Sequence, residues 1–239
     1  MCIRDRVDPA IESLLAAVED ALDDRDFERA QEGLQAMQEM LGSRHPQVLR
    51  LYGLLRWEVA GPRHALPALR DAVAMDPSDG DARHALARAL EDDGQLEDAI
   101  THQLEVRALD EERDDELGLG TEEELDFIEG VAFEVLERIG PPFRERLEGV
   151  PIILERRPSL DLVSEGFDPR AYGLFEGPTS HDVDVSGELP PRVVLFSSNL
   201  LASFPDEDEL ARQVEITILH EVGHYFGLDE DDMHRLGLE

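Results

Sequence analysis

Several residue types are scarce or missing in this chain of 239 residues, and each shortage excludes a class of protein. Lysine is absent, so arginine supplies all 22 basic residues against 56 acidic ones, and the formal net charge is −34. One cysteine rules out a disulfide scaffold, and no apolar run approaches the roughly 18 residues of a membrane span. Such an acidic chain should repel nucleic acid and anionic membranes, so we expect neither as a partner and favour cations, basic peptides or basic proteins.

The first six residues of the chain form an unusual sequence. Residues 1–6 resemble a translated sequencing adapter, so we expect the native start to lie elsewhere and Cys2 to be foreign. No apolar segment of a secretory signal follows, and the sequence therefore favours a cytoplasmic location.

A small helical pattern recurs in the first half of the chain. Ala30, Ala65 and Ala99 lie 34 or 35 residues apart, and an apolar residue follows each of them ten positions later. Turn residues such as 76–78 and 92–94 separate the helical segments. This pattern resembles tetratricopeptide repeats, which are helix-turn-helix units of about 34 residues. The resemblance implies an all-α repeat array over residues 8–110, which either binds a protein or peptide in its groove or acts as a spacer.

The composition of the chain changes near an acidic run at residues 110–116. Residues 1–110 carry 23 acids and 12 arginines, a net charge of −11, whereas residues 111–239 carry 33 acids and 10 arginines, a net charge of −23. Like-charged blocks repel one another and stay solvated. We interpret the run as the edge of an acidic linker over 111–120, the alternative being the end of a helix.

The second half of the chain shows a different order of elements, with fewer helices and short apolar strands. Thr121 and Glu124 form a capping-box pattern ahead of an apolar helix. Strand candidates follow at 150–154, 172–177 and 192–196, and a last long helix is predicted over 206–226. We therefore predict a small α+β domain over 121–239 and an α+β chain overall. The strand Arg192–Phe196 is the candidate edge on which an extended substrate would pair.

The last long helix contains the motif His220-Glu221-Val222-Gly223-His224. Residues four apart lie on one face of a helix, so both imidazoles can reach a single Zn²⁺ ion. Glu221 can then act as general base on a zinc-bound water, whose pKa the ion lowers to about 7. Tyr225, beside the second histidine, would either line the cleft or pack. The alternative without a metal site is an acidic amphipathic helix with two surface histidines.

A third metal ligand is expected just after the motif. Gly227 permits a left-handed turn that ends the helix and brings an acid back towards the ion. Glu230 has the spacing of the extended H-E-x-x-H-x-x-G-x-x-(H/D) pattern, six residues after His224. Asp229 and Asp231 are the alternatives, and Asp229 is a better candidate for the cap of a short helix over 230–236.

The order of elements from about Glu122 to the end, together with Ile218–Leu228, resembles the minimal zincin-like metallopeptidase family. The family typically has Asp where this chain has Glu230. The resemblance implies a zinc cofactor and hydrolysis of peptide bonds in a peptide or protein substrate. Combined with the repeat pattern, it favours a zinc metallopeptidase whose repeat domain binds a protein or peptide partner. The alternative is a catalytically idle zincin-like domain within a repeat-based interaction scaffold.

Overall fold

The computed structural model describes residues 9–178 and 190–237, which form two compact units. One unit is built from the chain up to Asp110 with Val163–Gly166, and the other from Glu111–Leu162 with the chain from Phe167 onward. Residues 1–6, including Cys2, lie outside the described part of the chain.

The first unit is a succession of helices joined by short turns. The helices are α1 Pro9–Asp23, α2 Phe27–Leu41, α3 Pro46–Ala60, α4 Pro62–Met75, α5 Gly80–Asp92 and the first part of α6 Leu96–Leu117. Asp26 and Asp79 cap α2 and α5 by accepting hydrogen bonds from backbone N–H groups of the first turn. Small buried residues such as Ala65 and Ala99 let the helices pack closely. This arrangement is consistent with the predicted repeats.

The acidic run at residues 110–116 is helical. It continues α6, which ends at Leu117, so most of the segment interpreted as a linker over 111–120 belongs to this helix. Asp114 is buried there because Arg157 pairs with it through two hydrogen bonds of 2.6 and 2.8 Å. A local charge count treats the run as uniformly solvated and misses this partner, which lies 43 positions further along the chain.

The second unit begins with α7 Glu122–Arg138, whose first turn has the predicted capping box between Thr121 and Glu124. The chain then forms α8 Pro141–Leu147, β1 Ile152–Glu155, α9 Leu160–Ser164, β2 Gly173–Glu176, β3 Arg192–Phe196, α10 Ser197–Ser203, α11 Glu207–Tyr225 and α12 Glu230–Leu236. Helix α11 packs against α7 and against the strands β2 and β3. The helical first part and the small sheet of the second confirm the α+β class.

The three-stranded sheet has the order β1-β3-β2, with β3 parallel to β1 and antiparallel to β2. Strand Arg192–Phe196 is therefore the central strand, and the prediction that it forms the edge for substrate pairing is wrong. The reason is its composition, because all of its residues after Arg192 are buried and a strand buried on both faces suits the middle of a sheet. Among the residues that the structure describes, the edge strands are β1 and β2.

None of the helices in residues 9–178 and 190–237 is both long enough and apolar enough to span a membrane.

Candidate metal centre

Helix α11 brings the two histidines of the motif together at its C-terminal end. Asp206 caps the start of this helix, and buried residues such as Val214 and Ile218 fix the face that packs into the core. His220 and His224 lie one turn apart, and their Nε2 atoms are 3.0 Å from each other. The rings meet edge to face with centroids 4.7 Å apart. Both rings thus direct the same nitrogen at one point.

A glycine turn ends α11 directly after the second histidine. Gly227 has φ +81, the left-handed conformation that the sequence predicts there. Its N–H donates to the His224 carbonyl at 2.9 Å, and the Leu228 N–H donates to the Gly223 carbonyl at 3.0 Å. This pair of hydrogen bonds is the Schellman motif, which reverses the chain so that the next helix returns towards the histidines.

Glu230 is the first residue of α12 and is the acid that reaches the histidines. One of its carboxylate oxygens lies 3.3 Å from His224 Nε2 and the other lies 3.9 Å from His220 Nε2. Asp229 instead caps α12, in a capping box with Asp232. In the described part of the chain, His220, His224 and Glu230 are the one group of three potential ligand residues whose donor atoms all lie within 4.8 Å of one another.

The geometry of this group fits a tetrahedral zinc ion. Ligands about 2.0–2.1 Å from such an ion lie roughly 3.3 Å from each other. The two Nε2 atoms are 3.0 Å apart and one Glu230 oxygen is 3.3 Å from His224 Nε2, while one donor atom from each of the three residues lies within 4.8 Å of the others. His224 Nδ1 lies 3.2 Å from the Leu228 carbonyl oxygen, so the ring can donate its Nδ1–H there and keep the Nε2 lone pair for a metal. Two imidazoles and a carboxylate with a further open position form the donor set of a catalytic zinc site.

Glu221 lies beside the three candidate ligands but is buried, with only 7% of its surface exposed. Burial raises the pKa of its carboxyl group to about 7, while the charge of His220 and a hydrogen bond donated by the Phe175 N–H act to lower it. A carboxyl group with a pKa near neutrality can both accept and return a proton at physiological pH. Glu221 is therefore a candidate general base.

A cleft of about 660 Å³ opens in front of these residues, between α11 and the edge strand β2. Its wall is mostly apolar, with Phe167, Tyr172, Leu174, Phe175, Ile216 and Leu228 among the lining residues. His220, Glu221, His224 and Glu230 are the ionisable residues of the lining other than Tyr172, and no arginine belongs to it among the residues that the structure describes. Tyr225 packs instead, with its hydroxyl donating to the Arg146 carbonyl at 3.0 Å.

Gly173 is a site residue that sequence reasoning did not find. A methyl group in its place would lie 2.6 Å from Thr217 Cγ2 and 3.0 Å from Glu221 Cγ, so its lack of a side chain allows β2 to approach α11. A glycine inside a predicted strand was the available signal, because it often marks close approach of another group.

A buried polar network, which no sequence pattern indicates, anchors the chain just before β2. Arg157, paired with Asp114, also donates to the Asn199 side-chain oxygen. The Asn199 amide in turn donates to the carbonyls of Pro169 and Ala171, at 3.0 and 2.6 Å. The network therefore fixes the segment that leads into the edge strand beside the cleft.

The comparison with protein families agrees with the geometry of this half. Residues 147–238 match the family model of zincin-like metallopeptidases, and this match spans all three strands, α11 and α12. The matched segment begins after α7, which the sequence resemblance also included. No repeat family is identified in the helical first part, and no curated protein matches the chain.

Proposed function

We propose that the second unit is a zinc-dependent metallopeptidase that hydrolyses peptide bonds. His220, His224 and Glu230 hold the metal, and Glu221 is the general base. The observation that carries this proposal is the convergence of three ligand atoms within 4.8 Å, beside a buried glutamate in a cleft. The match of residues 147–238 to zincin-like metallopeptidases supports the same reaction class.

The roles follow from the positions of the side chains. A bound zinc ion supplies a lowered pKa to a coordinated water and polarises a carbonyl group. Glu221, buried next to His220, accepts the proton of the attacking water and returns it to the leaving amine. Glu230 completes the ligand set from outside the motif. The His224 ring is held by its hydrogen bond to the Leu228 carbonyl, which keeps Nε2 directed at the metal position.

The peptide substrate pairs with the side of β2 that faces away from β3, where residues 9–178 and 190–237 supply no other strand. The Phe196 N–H donates to the Tyr172 carbonyl at 2.9 Å, so this pair is hydrogen-bonded across the sheet. In an antiparallel ladder the pairs alternate, which makes Leu174 and Val194 the next hydrogen-bonded pair. The backbone groups of Gly173 and Phe175 consequently point away from β3. They are available to an extended peptide, as in β-strand addition, except where the Phe175 N–H already serves Glu221.

The test measures metal content and peptide hydrolysis together. Protein purified without chelator should hold close to one equivalent of zinc, and less than about a tenth of an equivalent with no uptake would contradict the site. Glu221→Gln should lower turnover of a blocked apolar peptide by about 100-fold or more while zinc is retained. Glu207→Gln, in the exposed first turn of the same helix, is the matched control and should leave both unchanged.

A second candidate function is an interaction scaffold in which the zincin-like unit is idle. It is favoured by a groove of about 610 Å³ between α2 and α3 in the first unit. Apolar residues such as Leu34 and Leu55 line it together with Gln31, Gln35 and Gln38 on one helix. The lining itself carries one acid, Glu39, and one base, Arg56. We propose that its occupant is an extended basic peptide, because amide side chains can pair with a peptide backbone and residues 1–110 as a whole carry a net charge of −11.

The scaffold role is tested with a labelled peptide of alternating leucine and arginine. Tyr52→Ala, which removes a partly exposed wall of the groove, should weaken its binding, whereas Met75→Ala, also exposed but outside the groove, should not. Glu221→Gln separates the two functions, since it should leave this binding intact. Equal binding by the Tyr52 and Met75 variants would contradict the groove. The cytoplasmic location expected from the sequence stays a prediction.

A further inference from the structure

The third ligand of the proposed metal site is poorly held by its own surroundings. The Glu230 side chain is 76% exposed, and it belongs to α12, a helix of only 7 residues. A carboxylate on so short and exposed a helix gains little from its own element, because isolated helices of this length are not stable in water. Something outside the first turn of α12 must therefore fix the distance between Glu230 and the two histidines.

Met233 is the residue that attaches α12 to the rest of the unit. It is the one buried residue of this helix and is completely shielded from solvent. Its side chain lies on the backbone of α11 at Gly223, where an added methyl group would be only 2.7 Å from the Met233 sulfur. A side chain larger than hydrogen at position 223 would occupy the same space. Gly223, within the motif, thus provides the space that the Met233 side chain occupies, and we call this contact surface the seat of Met233.

The seat and the ligand are linked by helical geometry. Residues three apart lie on the same face of a helix, so Glu230 and Met233 both face α11. Gly223 immediately precedes His224, so Met233 contacts α11 next to His224. The Nε2 atom of His224 is the one that lies 3.3 Å from a Glu230 oxygen. A shift of Met233 from its seat would move the Glu230 carboxylate away from the histidines without changing any ligand.

We propose that Met233, seated on Gly223, is a positioning residue that holds Glu230 in the metal site. This inference rests on the proposed zinc site. An ordinary packing role for Met233 would stabilise the unit without any specific link to metal affinity. The two roles differ in one measurable respect, which is whether the effect of Met233 on zinc binding depends on the presence of Glu230.

The experiment is a zinc titration against a chromophoric chelator, with the full chain and four variants. Met233→Ala should weaken zinc binding by about tenfold or more, as the loss of a supporting contact does at metal sites. Its loss of affinity should approach the loss caused by Glu230→Ala. Met233→Leu keeps the volume and should stay within about threefold of the parent protein. The double variant Met233→Ala/Glu230→Ala should bind zinc as Glu230→Ala does, because no carboxylate is left to position.

Each departure from this pattern has a separate meaning. If Glu230→Ala leaves zinc affinity unchanged, the proposed ligand set fails and the inference fails with it. If Glu230→Ala weakens binding but Met233→Ala does not, or if the two losses multiply in the double variant, only the positioning role is overturned.

Gly223→Ala provides an independent check against simple unfolding. Alanine favours the helical backbone more than glycine does, so α11 itself should not be weakened. The added methyl group should nevertheless displace Met233 and lower zinc affinity. Circular dichroism of the zinc-free variant should show unchanged helix content, and retained zinc affinity would contradict the seat.

Discussion

Two glutamates of the same short region differ in almost every physical property. Glu221 is buried beside Gly173, and burial raises the pKa of its carboxyl group to about 7. Glu230 is exposed, and its carboxylate oxygens lie 3.9 Å from His220 Nε2 and 3.3 Å from His224 Nε2. A buried carboxyl suits proton transfer, whereas an accessible carboxylate suits metal ligation. The two proposed roles therefore follow from the environments of the two side chains and not from their residue type.

The neighbouring acids Asp229 and Glu230 should respond differently to removal. Glu230→Ala removes a proposed ligand, so zinc affinity should fall by about tenfold or more. Asp229→Ala removes the cap of α12, which should cost about 1 kcal/mol of stability with a smaller effect on zinc. Zinc titration and thermal unfolding of both variants measure the two effects. The opposite ranking in the titration would move the third ligand to Asp229.

The approach of β2 to α11 is the feature of the elements that shapes the cleft. Gly173 allows the strand β2 to lie against Thr217 and Glu221, so the proposed general base lies beside the backbone that we propose pairs with a substrate. Gly173→Ala should push the strand away from Glu221. We expect a loss of kcat/KM of about 10-fold or more, because small displacements in an active site are costly, with zinc content unchanged.

Gly177 also lines the cleft, but its φ of +110 would strain an alanine there. Gly177→Ala is therefore a poor control for Gly173→Ala. Gly130→Ala on α7 is better, since nothing lies within 4 Å of an added methyl group there. Hydrolysis and zinc content should both be unchanged in this variant. Equal activities of Gly173→Ala and Gly130→Ala would show that the close approach of β2 to α11 does not affect hydrolysis.

The polar network before β2 should be important for the stability of the second unit. Arg157→Met would leave the Asp114 carboxylate buried without its partner, and breaking a buried pair in this way costs about 3–5 kcal/mol. Replacing both residues, as Asp114→Leu/Arg157→Met, should recover much of that loss. Chemical denaturation of the three proteins measures the difference. A double variant less stable than Arg157→Met would contradict the account.

The sequence predicts the parts of this structure that depend on neighbouring residues. The capping box at Thr121, the turn at Gly227 and the return of Glu230 to the histidines all follow from local spacing. The order of the strands does not, because pairing joins residues that are far apart, and β3 proved to be central. The contacts of Met233 and Gly173 are equally non-local, so no periodicity indicates them.

At the scale of the whole molecule, charge is the dominant feature. The net charge is −34, and residues 111–239 alone carry 33 acids against 10 arginines. The described lining of the cleft includes no arginine. An exopeptidase that holds a free C-terminal carboxylate, or a peptidase that prefers acidic side chains, needs a cationic partner for it. If the proposed peptidase activity holds, we expect it to favour internal bonds of peptides that carry an apolar residue at the cleft and basic residues beyond it.

Hydrolysis of three blocked peptides that share an apolar centre tests this preference. Arginine flanks should give the highest kcat/KM, glutamine flanks an intermediate value and glutamate flanks the lowest, because the acidic surface attracts cations and repels anions. The Debye length shortens from about 30 Å at 0.01 M salt to about 8 Å at 0.15 M, so added salt should lower kcat/KM for the arginine peptide and raise it for the glutamate peptide. The glutamine peptide is the control and should change little. Fastest cleavage of the glutamate peptide, or an equal effect of salt on all three peptides, would contradict a part for long-range charge in the choice of substrate. The preference would then have to come from the apolar wall of the cleft alone.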